Sequence, residues 1–510
     1  MRVASEQRGQ LFYQRALFLL YLLLLVWAPL PLGSNRAWAW SLLQVGVFSL
    51  GALALLAWAV NPQAWQAGSG TNALIRRSKW VVIGLLLLWL GYLGLQMLSI
   101  PLPLLEWLAP SNASWWHNLP PSVNVEDGRL AASLQSARSE WLKQCAYTVF
   151  FCLTLALVSS GKRLRIVIYA MIATSIFEAV YGLAAHFMQD SFPFWRPTWY
   201  GHHWATGTFI NKNHYAAHLS FGIALMFGAC LAFITRQPYR EWPRSFPLML
   251  ERITGVLLEP GFLRFGLLLA LLTAFFFSQS RGAFLGLALA GSGLLLFGAW
   301  WRDYRADVRS ERRDPSAEKR VMPWLLLTGL VAAVWLSSSG LFGRLLPSEL
   351  ADMGRIVTWQ QTLVMWWDHW LFGIGNGSFE YVFTRYRVPA LDGSLYDFAH
   401  NDHLQLLAEQ GVIGLALFYG VFGLCWFTML KAYCMRGRSK SKQGVLLGIM
   451  IADSAFFLRG FVDFNFHMPA NALWFYALLG LGLVSSAGIL REQGVVSGCG
   501  REGLCRHRVS

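Results

Sequence analysis

The chain has 510 residues, 55% of them hydrophobic and 14% charged, with a mean hydropathy of +0.42. A soluble domain carries roughly 25% charged residues, so a soluble globular enzyme is excluded and an all-α polytopic membrane protein is expected. The net charge of +15 does not indicate nucleic acid, because Lys and Arg fall in alternate loops between apolar stretches.

A hydrocarbon core about 30 Å thick needs roughly 20 apolar residues per helix, and on that criterion about twelve spans are expected. They are 15–33, 38–60, 79–100, 141–160, 164–187, 213–235, 262–279, 282–301, 322–341, 409–431, 444–462 and 469–490. The first contains Leu17–Trp27, lacks a small-residue cleavage site and is followed by Pro29 and Pro31. It reads as a retained helix, not a signal peptide. Basic residues cluster at Arg2–Arg15, Arg76–Lys79, Lys162–Arg165, Arg236–Arg252, Arg302–Arg320, Lys431–Lys442 and from Arg491 onward. This positive-inside pattern places both termini in the cytoplasm, as in a multi-pass protein of a bacterial inner membrane. Some of these side chains also suit anionic lipid headgroups.

The 7 cysteines all fall in spans or on the cytoplasmic side of this topology, so no disulfide is expected. Cys499, Cys505 and His507 lack a standard zinc spacing, and 491–510 reads as a cytoplasmic tail. The chain is one integral membrane domain over 1–510. Its two long outer loops are 101–140, rich in Pro, Ser, Asn and Trp, and the large loop 342–408. Loops longer than roughly 12–15 residues are usually functional or disordered. In the second, Met353–Leu371 has apolar residues at 356, 359, 363, 366, 367 and 370, the period of an amphipathic helix lying along the outer face. Gly373–Ser378 then supplies a turn. On the other side, Arg302–Arg320 mixes charge signs and reads as a solvated, flexible connector.

Four polar groups stand at outer helix ends: Thr206–Ala216, Ser278–Ala283, Arg355, and the stretch around His400. Arg281 lies in a turn too short for a soluble loop, where an arginine near hydrocarbon costs several kcal/mol on some scales. It either snorkels to the headgroups or clamps a phosphate, whose oxygens match the guanidinium fork. Arg355 fits the same two readings. Asn211, Lys212, Asn213 and His214 either cap a helix or meet an anion; Lys212 runs against the charge bias of its side. His400 and His403, spaced i, i+3 with Asp402 between them, suit zinc poorly. Asn401 or Asp402 can cap the following helix. A neutral imidazole near pH 7 can serve as a general base, and Gln405 and Glu409 can orient it or close the helix mouth. No P-loop, Rossmann fingerprint or metal-binding acidic motif is present, so neither a nucleotide nor a metal cofactor is expected.

Several of these motifs together resemble the bacterial O-antigen ligase family. They are Thr206-Gly-Thr-Phe-Ile-Asn-Lys-Asn213, Ser280-Arg-Gly-Ala283, Arg355 with Trp359, Phe372-Gly-Ile-Gly-Asn-Gly-Ser-Phe379, and above all His400-Asn-Asp-His-Leu-Gln-Leu-Leu-Ala-Glu-Gln-Gly-Val-Ile-Gly414. The resemblance runs from about the fifth span to the eleventh. The family groups O-antigen ligases, polysaccharide polymerases and protein O-oligosaccharyltransferases. It implies a GT-C-like bundle of about twelve helices with a large late periplasmic loop. It further implies metal-independent transfer of a glycan from undecaprenyl diphosphate to a hydroxyl of lipid A-core or of a second lipid-linked glycan. In that likeness His400 matches the base, and Arg281 and Arg355 match the diphosphate-binding residues. His403 and the pair His202-His203 are further imidazoles that could share or replace the role of His400. The competing reading is a solute transporter, since some members of the wider family are labelled bicarbonate transporters. Such a protein should show inverted repeats, broken helices and midplane ionisable groups. No repeat is found, and only Glu178 and Asp453 fall within spans, where a neighbouring arginine such as Arg459 is the expected partner of either.

Overall fold

The computed structural model describes residues 2–63, 73–120, 126–194, 204–234, 260–308, 353–391, 396–435 and 439–499. The long helices are α1 (Arg2–Trp27), α2 (Ala37–Val60), α3 (Ala73–Leu95), α6 (Leu134–Leu157), α7 (Gly161–Met188), α8 (Lys212–Ile234), α9 (Pro260–Phe277), α10 (Arg281–Val308), α11 (Met353–Asp368), α13 (Asp402–Cys434), α14 (Lys440–Arg459) and α15 (Pro469–Cys499). The short ones are α4 (Leu102–Leu108), α5 (Pro110–His117) and α12 (Phe379–Phe383).

Among the described residues eight helices are long and apolar enough to cross a membrane: those in α2, α3, α7, α8, α10, α13, α14 and α15. The chain is therefore an all-α polytopic membrane protein. Two further apolar segments, Tyr13–Trp27 and Leu263–Phe277, are shorter, and α6 begins with the polar turns Leu134–Lys143 before its apolar part. The expected span 322–341 lies outside the described residues, as do His202, His203, Cys505 and His507. The expected flexible connector begins instead as helix, because α10 continues through Arg302 to Val308, where Trp301 donates to the Cys434 carbonyl at 3.1 Å. Likewise α15 runs on through Cys499, into the segment expected as a tail.

Burial orders the bundle. In the apolar windows of α15 and α8, 89% and 78% of residues are buried, against 28% for α2 and α10. The first pair is central and the second peripheral, its apolar faces left for lipid. Packing of α8 on α14 follows from small residues: Gly444 and Gly448, one turn apart, meet the backbone of Gly228 and Ala232. Such contacts supply van der Waals attraction where no hydrophobic force acts between helices. Trp474, in the second turn of α15, donates to the Leu25 carbonyl at 2.9 Å.

Both long connections fold at one end of this bundle. Residues 101–140 hold α4, α5 and a short antiparallel pairing of β1 (Ile100–Pro101) with β2 (Asp127–Gly128). Asn112 of α5 donates to the carbonyls of Leu130 at 2.8 Å and Gly373 at 3.0 Å, and its oxygen meets His369 at 2.9 Å. The helix expected over 353–371 is α11, and the expected turn follows it with Gly373, Gly375 and Gly377 all at positive φ. This turn lies in a break of α13. Gly411 has φ 63°, a conformation open to glycine, and an added Cβ would strike the Leu371 carbonyl. The N–H groups of Ile374 and Gly375 donate to the carbonyls of Ala408 and Glu409, each at 2.9 Å, and Val412 donates to Trp370 at 3.0 Å. The span expected to begin at residue 409 thus starts at Asp402 and is broken once.

Candidate functional site

His400 sits in the turn that leads into α13. Its φ of 51° is left-handed, uncommon for a residue with a side chain and costing on the order of 1–3 kcal/mol. Neighbouring bonds hold it there. The Ala399 N–H donates to Gln405 Oε1 at 3.0 Å, and the Ala399 carbonyl accepts from Trp359 Nε1 at 3.0 Å. Asn401 caps α13, its side chain accepting from the N–H groups of His403 and Leu404 at 3.1 and 3.0 Å. Asp402 N–H donates to the carbonyls of Gly460 and Asp463, at 2.7 and 3.0 Å. The half-buried imidazole of His400 meets the Phe464 ring edge-on at 4.8 Å.

Phe464 also receives the ring of His214 edge-on at 4.8 Å, so the two histidines share one aromatic spacer. Behind them lies a buried polar cluster. Arg459, at the end of α14, donates to Asp463 Oδ2 at 2.8 Å and to Ser280 Oγ at 3.2 Å. Ser280 in turn donates to Asn213 Oδ1 at 2.9 Å. Arg459 Nε and Nη1 are buried and make no hydrogen bond among the described residues, and neither does His214 Nε2, which stands 4.0 Å from Asp463 Oδ1. Burial pushes the Asp463 carboxyl up, but Arg459, His214 and the Phe464 N–H more than reverse this and leave it lowered to about 2. Arg355 is near enough to Arg459 to act on it as a like charge, and His400 stands in the same relation to His214.

The cluster thus brings together His400, Asn213 and His214 from the sequence-derived candidates, with Arg355 close enough to Arg459 to be felt as a like charge. Arg281 is exposed at the first position of α10, next to Ser280. Asn211 caps α8 by accepting from the Asn213 N–H at 2.8 Å, and Lys212 lies over the Trp204 ring with its ammonium 3.5 Å from the centroid. His403 is committed elsewhere: Nε2 lies 2.9 Å from the Phe457 carbonyl and Nδ1 2.7 Å from the Tyr419 hydroxyl. Glu409 holds the glycine turn, accepting from Gly377 N–H at 2.9 Å, Phe379 N–H at 3.3 Å and Gln405 Nε2 at 3.2 Å.

Sequence reading missed Asp463 and His467. The His467 ring meets Asp402 Oδ1 at 3.1 Å, while Asp402 Oδ2 accepts from the Phe466 N–H at 3.1 Å. Burial pushes the His467 imidazole down, yet the carboxylates of Asp402, Glu409 and Glu140 leave it raised. Arg459 pairs with neither Glu178 nor Asp453. Glu178 accepts from Thr208 N and Oγ1, at 2.9 and 2.7 Å, and both carboxylate oxygens of Asp453 are buried without a hydrogen bond among the described residues. The i, i+4 spacing of Arg459 and Asp463 at a helix end was the signal that could have found that pair.

An imidazole in a fixed turn, sharing the Phe464 ring with His214 in front of the Arg459–Asp463 pair, can accept a proton from a hydroxyl brought to it. α8, α10, α13 and α15 all begin at this end, and helix N-termini favour anions. No curated protein matches the chain. Residues 266–419, which include Arg281, Arg355 and His400 but neither Asn211–His214 nor Arg459–His467, match the model of the O-antigen ligase family.

Proposed function

We propose that this protein is a membrane glycosyltransferase that moves a glycan from undecaprenyl diphosphate to an acceptor hydroxyl. The site faces the periplasm of the inner membrane, and both termini are cytoplasmic. The match to the O-antigen ligase family supports an enzyme of this general kind. The observation that carries the reading is the placement of His400 at positive φ beside His214 and the Arg459–Ser280–Asn213 cluster.

In this mechanism the acceptor hydroxyl attacks the anomeric carbon of the first sugar. Its proton passes to His400, the bond from that carbon to the diphosphate oxygen breaks, and the diphosphate leaves with the electron pair. The product is inverted at that carbon. Arg281 and Arg355 hold the diphosphate, taking the place of a metal cation, and stabilise the charge as it develops. Asn213, through Ser280, ties the start of α8 to this edge, and Glu409 and Gln405 hold the turns around His400. The acceptor is lipid A-core in a ligase or a second lipid-linked glycan in a polymerase.

The test is reconstitution in liposomes with undecaprenyl-diphosphate-linked glycan and each candidate acceptor, measuring released undecaprenyl diphosphate. Release that needs both an acceptor and His400 supports the proposal, and the acceptor that works separates ligase from polymerase. Absence of release with every acceptor overturns it. Solute transport is the second reading, favoured by the break in α13 and the buried Asp453 carboxylate; uptake by the same liposomes without glycan tests it.

A further inference from the structure

A second concave surface lies away from His400, between the two folded connections. One wall is Trp115 and Trp116 of α5 with Leu119 beyond it; the other is Tyr381 and Val382 of α12 with Arg385; Ala132 completes the lining. The cleft has a volume of about 230 Å³. That is below the roughly 300 Å³ at which small-molecule pockets begin, the size of an open platform for one or two rings.

We infer that this cleft is a saccharide-binding subsite, which holds sugar residues remote from the reacting bond. Trp and Tyr offer large, rigid, amphipathic faces at low entropic cost. The apolar C–H face of a pyranose packs on such a plane, and its hydroxyl edge is left for a charged donor such as Arg385. Tyr381 is 54% exposed, so its face is open to a ligand. Each tryptophan is fixed. Trp116 Nε1 donates to the Arg129 carbonyl at 3.1 Å, and Trp115 packs on His369 at 4.9 Å. A lipid-facing aromatic belt is convex and continuous, whereas these rings line a hollow whose walls come from segments more than 260 positions apart in sequence.

The cleft is also joined to the candidate site. The wall carrying Tyr381 begins at Phe379, whose N–H is gripped by Glu409, and Glu409 lies seven residues along α13 from Asp402, on the order of 10 Å at 1.5 Å per residue. The opposite wall is fastened to the same turn, with Ala132 N–H donating to Ile374 at 3.1 Å and Ser133 N–H to Ser378 Oγ at 3.2 Å. Both walls of the cleft are thus tied, through the glycine turn and Glu409, to the helix that begins at the His400 turn. Assigning the ligand as part of the transferred or accepting glycan rests on the glycosyltransferase reading.

The test uses full-length protein in nanodiscs and lipid-free oligosaccharides released by mild acid from the surface polysaccharide of the cells that make it. Calorimetry and tryptophan fluorescence compare wild type with Tyr381→Ala/Arg385→Ala and with the conservative Tyr381→Phe. The double variant should bind at least tenfold more weakly, and Tyr381→Phe, which keeps the ring face, should bind within about threefold of wild type. With lipid-linked donors of increasing glycan length, KM should fall with length in wild type and stay flat in the double variant. No binding by wild type, or equal binding by the double variant, overturns the subsite. Quenching of the cleft tryptophans by a lipid-borne quencher in the nanodisc, with oligosaccharide causing no change in their fluorescence, overturns it in favour of a lipid-facing surface. Oligosaccharide binding at the cleft without transfer from any lipid-linked donor would keep the subsite and remove the proposed reaction.

Discussion

Arg459 and Asp463 form an ion pair at 2.8 Å, both buried and four residues apart across the end of α14. The pair fixes the turn that carries Phe464, and through Phe464 it sets the positions of His214 and His400. Removing one partner of a buried pair strands the other, at a cost of about 3–5 kcal/mol. Asp463→Ala should therefore lower the Tm sharply in detergent, measured by intrinsic fluorescence. An unchanged Tm would take the pair out of the framework.

His400→Ala should cut undecaprenyl diphosphate release by about 10²–10⁴ if the imidazole is the base, with little change in Tm. His403→Ala should do the reverse. It leaves the Tyr419 hydroxyl without its imidazole partner and takes one of two donors from the Phe457 carbonyl, which keeps the Gly460 N–H at 3.1 Å; an unsatisfied buried group costs about 1–3 kcal/mol. Parallel melting and release assays separate the two. Activity within a few-fold of wild type for His400→Ala would end its role as base.

Arg281→Lys and Arg355→Lys should each reduce kcat/KM about tenfold or more, because an ammonium does not reproduce the two parallel bonds of a guanidinium fork to phosphate. Steady-state kinetics with lipid-linked donor checks this. A fully active Lys variant would mark that arginine as an interfacial anchor.

Stability should depend on pH through His467 and Asp463. The His467 imidazole is raised in the folded protein, so its contribution is complete below the ordinary value of about 6.5 and is lost as pH rises through the higher folded value. The Asp463 carboxyl is lowered to about 2. Its contribution is present above the unfolded value of about 3.9 and fades as pH falls toward 2. Melting across pH should show both slopes. His467→Gln should flatten the alkaline one, and an unaltered alkaline slope in that variant would detach it from the His467–Asp402 pair.

Much of this architecture was legible in the sequence because its causes are local. Apolar runs mark the helices, the period over 353–371 marks α11, and the polar Asn401 before an apolar run marks the start of α13. The Gly373–Ser378 turn was visible for the same reason, since three of its glycines need positive φ. What was hidden depends on distant chain meeting distant chain. Nothing local to Glu409 shows that its carboxylate closes on Gly377 and Phe379, or that Asn112 reaches Gly373. Arg459 was noticed, but its partner was sought inside the membrane spans, whereas the nearest carboxylate lay one turn beyond the helix end. His403 and His400 look equivalent in sequence, and only the packing of Tyr419 and Phe457 shows that both ring nitrogens of His403 are held.

The grip of Glu409 on the glycine turn has a consequence for how such a protein can be rebuilt. The segment 370–379 is threaded through the break at Gly411 and fastened to α5 by Asn112, so the first connection, the glycine turn and the start of α13 are one inherited part. A chimera that imports the first connection from a relative without the other two would leave carbonyls and amides facing empty space, whereas grafting all three together keeps the seam intact. Exchanging this end of the bundle between relatives would then mean moving a composite cassette that is scattered along the gene and contiguous only in space.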